Sequence, residues 1–160
     1  PVFLSLYVEN DLRLDKYFAE TDEKGFRKNK KAGSNNYLCT FRVGEIYLTA
    51  AEAAARLGEL SQARTRLLEL MRKRYAPEAY EAKSVVVNAM DKEALVQEIL
   101  DERARELAFE GHRWFDLRRS TRPRLEKVLD GTRYVLEEND ARYTLAIPKE
   151  AIEANPGLLN

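Results

Sequence analysis

The sequence is poor in the residues that carry metal and redox chemistry. Among 160 residues there is one cysteine, Cys39, and one histidine, His112. A single cysteine closes no disulfide within the chain and does not identify a compartment. One cysteine and one histidine do not make a zinc site, so neither a metal nor a cofactor is expected. Charge of one sign is not in excess either. Lys+Arg and Asp+Glu each number 27, for a formal net charge of zero. Nucleic-acid-binding domains carry a basic excess, so no nucleic-acid partner is expected. No apolar run approaches the roughly 20 residues that span a bilayer. Residues Pro1 to Val8 lack the positive start and the cleavage site of a signal peptide. Any targeting segment is expected outside this stretch.

What the sequence has in quantity is charge of both signs. Charged residues make up 34% of the chain, and mean hydropathy is negative. Such a composition, rich in Ala, Leu, Glu and Arg, favours helices with solvated faces. The length suits one domain, and a chain of this size buries roughly 70% of its unfolded surface. Residues 1–41 are the least regular and read as an irregular lead-in. Gly25, Gly33, Ser34, Asn35 and Asn36 read as loop. The basic run Lys28, Lys30 and Lys31 is expected to be a solvated loop.

From Val43 the periodicity is helical. Val43, Ile46, Tyr47, Ala50, Ala54 and Leu57 recur at three- and four-residue spacing. Gly58 is placed to end that helix in a left-handed cap. Ser61 is a candidate cap for a second helix, whose apolar face is Ala63, Leu67, Leu70 and Met71. Helices joined by so short a link pack antiparallel. Tyr47, Ala51, Leu57-Gly58, Ala63 and Leu67 also fit the offsets of a tetratricopeptide (TPR) helical hairpin, over residues 42–76. One such unit needs neighbours to bury its faces.

Pro77 is expected to break the second helix and to open a connector over residues 77–90, with a β-branched patch at Val85, Val86 and Val87. Asp91 is a cap for a third helix with a stripe at Val96, Leu100, Ala104, Leu107 and Ala108. Gly111 interrupts it, and His112–Arg119 reads as a shorter helix set at an angle; residues 91–119 form one section. Residues 120–160 read as loop-rich. Within them 124–140 is ambiguous, and Arg142 to Ile147 alternates as a short strand does, with Arg133 to Leu136 as its candidate partner. Pro148 opens a turn or short helix, and Asn155-Pro156-Gly157 reads as a turn. The fold class is therefore mainly α: a TPR-like helical hairpin, further helices, and a loop-rich C-terminal region with at most a small β-hairpin.

The run Glu102-Arg103-Ala104-Arg105-Glu106-Leu107-Ala108-Phe109-Glu110-Gly111-His112-Arg113-Trp114-Phe115-Asp116-Leu117-Arg118-Arg119 resembles the signature of the SusD/RagB family, "RERRIELAFEGHRWFDLRR". Two flanking stretches agree with it in the family's order. Arg42 to Ala53 is similar to the family's "RLAEVYLIYAEA" helix, and Ala146-Ile147-Pro148-Lys149-Glu150 with Ala154-Asn155-Pro156 is similar to its terminal "PIPQSEIDANP". Residues 11–18 also resemble its "DPRL" region. The resemblance covers about residues 42–157. It implies a SusD-like helical fold built around TPR-like hairpins, here its C-terminal portion. It further implies a lipoprotein on the bacterial outer surface that binds oligosaccharides, or in some members peptides. Such a protein is a lid over a SusC-like TonB-dependent transporter and has no enzymatic activity. Cys39 is internal and is not the lipid site. No motif transfers a ligand contact, so the ligand-binding residues stay open.

Read from the residues themselves, the signature is structural. Arg103, Glu106 and Glu110 fall at i, i+3 and i+7, on one helix face. Arg113, Arg118 and Arg119 follow the Gly111 bend. Alternating Arg and Glu suit an ion-pair lattice that latches two helices together, with Trp114, Phe115 and Leu117 packing on the bend. The signature set is Arg103, Glu106, Phe109, Glu110, Gly111, His112, Arg113, Trp114, Asp116 and Arg118. A carboxylate-bridged metal site needs Glu and His three apart, and Glu110 and His112 are two apart. A lone His in an elbow is more often a hydrogen-bonded structural group than a base. Tyr75, Tyr80, Tyr134 and Tyr143 are aromatic candidates for a sugar platform.

Two rival functions follow from other features. A TPR-like protein-interaction module predicts further tandem repeats upstream. A glycoside hydrolase using Glu106 and Glu110 predicts a cleft that exposes both carboxylates. Nutrient capture predicts an upstream lipoprotein signal and a transporter gene alongside.

Overall fold

A computed structural model describes residues 4–31, 42–155 and 157. The loop reading at Gly33 to Asn36, Cys39, and the Pro156 of the terminal turn lie outside the described residues. The chain divides into two compact units, residues 1–113 and 114–160, each described here by itself.

The first unit is built on two antiparallel helices, α2 (Val43–Leu57) and α3 (Leu60–Met71), against which α5 (Lys92–Glu106) packs. Gly58 ends α2 at φ 87°, with its N–H on the carbonyls of Ala54 and Ala55. The TPR offsets locate the buried contacts better than the simple stripe does. Ala51, Ala63 and Leu67 have no exposed surface, whereas Val43 and Ile46 of the stripe are exposed, as is Leu57, which belongs to both patterns. The inward face of α2 is Gly44, Leu48, Ala51, Ala54 and Ala55, mostly small side chains that let neighbouring helices approach closely. The inward face of α3 is the expected one: Ala63, Leu67, Leu70 and Met71. Ser61 does not cap it. The cap position is Glu59, which makes no side-chain cap bond.

Pro77 does not open a connector. It opens a helix, α4 (Pro77–Ala89), from its first position, where the missing N–H has no helical partner to lose. The chain leaves α3 at Met71 instead. Of the three consecutive valines only Val87 is buried, as a helix turning through 100° per residue requires. Arg64 donates to the last carbonyl past α4, at Met90, at 2.6 Å. Asp91 caps α5 as expected, accepting from the Ala94 N–H at 2.9 Å. Leu48, Leu67, Met71, Val87, Leu95 and Ile99 make the centre of the core.

The lead-in is more ordered than expected. It holds a short helix α1 (Leu14–Tyr17) and a hairpin of β1 (Phe18–Thr21) and β2 (Arg27–Asn29). Asp22 shapes its turn by accepting from the N–H groups of Lys24 and Phe26. Tyr7, Tyr17, Phe18 and Ala108 form a second, smaller core. Asp11 bridges Tyr75, Leu12 donates to the Arg74 carbonyl at 2.9 Å, and Ala76 donates to the Asn10 carbonyl at 3.0 Å.

The second unit carries the greater part of α6 (His112–Arg119), a hairpin of β3 (Leu125–Leu129) and β4 (Thr132–Leu136), a 3₁₀ turn at Ala141–Tyr143, and α7 (Lys149–Ala154). The expected strand at Arg142 to Ile147 does not form. The partner of Thr132–Leu136 is Leu125–Leu129, in the stretch left ambiguous. The two-residue loop Asp130-Gly131, with φ 49° and 77°, has the positive φ at both positions that a type I′ hairpin turn needs. Trp114 stacks on Tyr143 with ring centroids 5.2 Å apart and planes 9° from parallel, and the Tyr143 hydroxyl donates to the Pro123 carbonyl. Among the described residues no helix is long and apolar enough to cross a membrane.

Gly58 gives the first testable consequence. No atom lies within 4 Å of the place a Cβ would occupy, so a side chain there meets backbone strain alone. Gly58→Ala should lower stability by about 1 kcal/mol, read as a lower midpoint in thermal unfolding; an unchanged midpoint would contradict the cap.

Candidate functional site

The signature lies at the end of α5, where charge is densest and most buried. Glu98, Glu102 and Glu106 recur every four residues, so they line one face. Glu102 and Glu106 have no exposed surface. Buried carboxylates need charged partners, and here those come from distant parts of the chain. Arg13 donates to both oxygens of Asp11 (2.9 and 2.8 Å), to Glu102 at 2.7 Å and to Glu106 at 3.3 Å. Asp11 also accepts from the backbone N–H of Arg13 at 2.9 Å, which fixes the turn that aims the guanidinium inward. Glu102 further accepts from Arg105 at 2.7 Å and from the Tyr75 hydroxyl at 2.9 Å. Burial works to raise the Glu102 pKa, but Arg13 and Arg105 outweigh it and hold the carboxyl at about 2.

Glu106 is the junction. Arg74 binds it through two nitrogens, at 2.8 Å to Oε2 and 2.9 Å to Oε1. Arg42 reaches Oε1 at 2.6 Å, and Arg13 completes the set. The opposite wall is Gly44 of α2, where an added Cβ would stand 2.8 Å from Glu106 Oε1. The end of α5 is covered by the same cations. The Glu106 carbonyl accepts from Arg42 at 2.9 Å and Lys31 at 2.7 Å, and Lys31 also reaches the Ala108 carbonyl at 3.0 Å. Positive groups at a helix C-terminus complement its dipole. Both Lys31 and Arg42 bind Glu110, and the Lys31 ammonium lies 4.2 Å from the Tyr17 ring centroid. Burial lowers the Lys31 pKa against the pull of Glu110. Lys31 is therefore not part of a solvated basic run, although Lys28 and Lys30 are exposed.

The lattice differs from the expected one in its partners. Helix α5 ends at Glu106, so Glu110 lies beyond it and shares no helix face with Arg103. The guanidiniums on Glu106 (Arg13, Arg42 and Arg74) all lie outside the signature. Arg103 reaches Glu45 at 3.8 Å and Thr49 at 3.2 Å. Phe109 and Gly111 turn the chain after α5 with φ 66° and 83°. Phe109 is half exposed but meets Phe18 edge to face at 5.5 Å. His112 Nδ1 lies 3.5 Å from Glu45, and Arg113 donates to the Leu100 carbonyl at 3.4 Å.

In the second unit Asp116 is buried and accepts from Arg119 at 2.6 Å. The Arg118 carbonyl accepts from Arg122 at 3.0 Å. Phe115 is 63% exposed, so it is not the packing residue expected of it; Trp114 and Leu117 are.

Of the four candidate tyrosines, Tyr75 and Tyr143 are buried and offer no open ring, Tyr80 is half-buried, and Tyr134 is 56% exposed. Tyr134 lies in a groove of about 440 Å³ lined by Leu125, Lys127, Leu136 and Arg142 among others. A second groove, of about 390 Å³, runs along the exposed side of α2 at Glu45, Ile46, Thr49, Ala50 and Ala53. The glycosidase alternative requires Glu106 and Glu110 open to a cleft. Glu106 is fully buried among three arginines, and only 13% of the Glu110 side chain is exposed.

The sequence reading missed Asp11, Arg13, Arg42, Arg74 and Tyr75 as members of the centre. The available signal was the similarity of residues 11–18 and of the stretch opening at Arg42 to the same family whose signature holds Glu106. Nothing marks Arg74.

The centre makes two measurable predictions. Glu106→Gln leaves three buried or half-buried cations without their common anion and should cost roughly 3–5 kcal/mol. Gly44→Ala pits better helix propensity, about 1 kcal/mol, against a contact with a carboxylate that Arg42 and Arg74 hold in place. Overpacking of roughly 1–3 kcal/mol should win, and the midpoint should fall; a rise would show that Glu106 can yield. The pH dependence follows from Glu102. Its folded pKa, about 2, lies below the ordinary 4.5, so its contribution is present above pH 4.5 and lost as pH falls toward 2. About 3 kcal/mol of stability should disappear across that window. Glu102→Gln, weaker at neutral pH, should show a flatter acid limb.

Comparison with known proteins agrees with this geometry. No curated protein matches the chain. Among solved structures it is similar to the crystal structure of a SusD-like carbohydrate binding protein from Bacteroides vulgatus ATCC 8482, with TM-score 0.66 and 20% sequence identity. The match covers 99% of this chain and 40% of that protein, so the chain spans well under half of its neighbour's length. The SusD family model matches residues 8–160, which takes in the ion-pair centre, both helical hairpin arms and the C-terminal hairpin: the chain belongs to the SusD family.

Proposed function

We propose that this chain is part of a non-enzymatic glycan-binding protein at the bacterial outer surface, one that captures oligosaccharides for import through a SusC-like TonB-dependent transporter. The observation that carries the reading is the family match over residues 8–160, supported by a fold shared with a carbohydrate binding protein. Attachment to the membrane would be through a lipid anchor outside this stretch. The buried charges suit a binding protein's frame better than a reaction centre. Glu102 and Glu106 are paired from within by Arg13, Arg42, Arg74 and Arg105, and both carboxylates are fully buried, out of reach of a substrate in solution. The signature at Arg103 to Arg118 is, on this reading, a structural latch.

The test uses the whole protein in native gels cast with purified polysaccharides, both neutral and uronate-containing. At least one should retard it, with no reducing ends released on incubation. Retardation by none, or steady release of sugar abolished by Glu106→Gln or Glu110→Gln in a protein that still folds, would overturn the reading. Co-purification with the product of an adjoining transporter gene tests the partnership.

A further inference from the structure

The β3–β4 hairpin is a regular element with neither face buried. Every residue of β3 is exposed, and β4 becomes only half-buried at Val135 and Leu136. A two-stranded hairpin has little stability alone, yet this one displays Leu125, Val128, Leu129 and Tyr134. Its register pairs Leu125 with Leu136, Lys127 with Tyr134 and Leu129 with Thr132. Directly opposed residues share a face, so one face carries a phenol ring with a lysine beside it and aliphatic residues at each end.

The surroundings of that face are fixed. On the opposite face Glu126 is held by Arg124 at 3.0 Å and Arg133 at 2.6 Å. Arg142 is held by both oxygens of Asp140, at 2.9 and 2.6 Å, and donates to the Val135 carbonyl at 2.9 Å. Arg142 thus sits in the groove already oriented, with Nη1 not engaged by any described residue. Lys127 likewise has no described carboxylate partner. An open aromatic ring flanked by an oriented guanidinium and a lysine matches a pyranose, whose C–H face is apolar and whose rim of hydroxyl oxygens accepts hydrogen bonds.

We infer that the Tyr134 face of the β3–β4 hairpin is a carbohydrate subsite, with the Tyr134 ring as the stacking platform and Lys127 and Arg142 as donors to sugar oxygens. This rests on the glycan-binding reading above and adds the place of contact. The 440 Å³ groove has room for one or two sugar rings by the usual size of small-ligand pockets.

The experiment uses the whole protein and whichever polysaccharide retards the wild type. Tyr134→Ala should weaken binding about tenfold with an unchanged melting midpoint, because the ring is more than half exposed. Tyr134→Phe, which keeps the platform, should bind within about twofold of wild type. Wild-type affinity in Tyr134→Ala would overturn the subsite while leaving glycan binding intact. Retardation of the wild type by no polysaccharide would overturn both. Should Tyr134→Ala fold poorly, hydroxyl-radical footprinting of the wild type decides: saturating polysaccharide should protect the peptide holding residues 125–136, and undiminished labelling there would overturn the subsite.

Discussion

The first unit depends on one buried anion. Glu106 has no contact with water, so its charge must be compensated by protein, and the compensating groups are spread along the chain. Arg13 comes from the lead-in, Arg42 from the entry to α2, Arg74 from the chain leaving α3, and Gly44 from the first turn of α2. None of these can move without leaving the carboxylate short of a partner or in collision with a Cβ. A lattice of this kind adds little net stability over an apolar core of equal volume, because desolvation offsets most of the attraction. Its effect is on which arrangement is tolerated. An apolar core accepts small rotations of a helix; a carboxylate shared by three guanidiniums does not.

The same cations solve a second problem. Helix α5 ends in the protein interior, where its last carbonyls would lack partners. Lys31 and Arg42 donate to the Glu106 and Ala108 carbonyls and bind Glu110 beyond the turn. Phe109 and Gly111 take positive φ to bring that carboxylate back toward them. Helix termination, charge compensation and the direction of the following chain are therefore settled by one group of side chains.

Much of this was legible in the sequence, and the failures have definite causes. The helical hairpin was readable because close packing demands small residues at Ala51 and Ala63, and that demand shows in the spacing. The simple hydrophobic stripe of α2 misled, since Val43, Ile46 and Leu57 lie outward where the unit is open. Pro77 was misread as a stop because proline ends helices from inside but begins them from the first position. Asp130-Gly131 between two strand-like runs is a stronger hairpin signal than the alternation at Arg142 to Ile147, which forms no strand. The partners of Glu106 were not readable at all from spacing. Ion pairs across 32, 64 and 93 positions of sequence leave no periodicity, and helical i, i+3 logic points Glu106 to a local partner, Arg103, that the structure does not use.

The division of labour between the two units follows from where charge is satisfied. Asp11, Glu102 and Glu106 are buried and held by guanidiniums from their own unit, so a ligand arriving there would have to displace an ion pair whose partner then stays buried and unpaired, at several kcal/mol. In the hairpin of the second unit the charged pairs are exposed, where water and salt screen them, and aromatic and aliphatic side chains face water. A ligand at the inferred subsite would replace water over apolar surface and meet an arginine already oriented. The most recognisable stretch of the sequence is thus the part whose charges are already satisfied from within, and the inferred subsite lies on a hairpin whose strongest mark in the sequence is its turn.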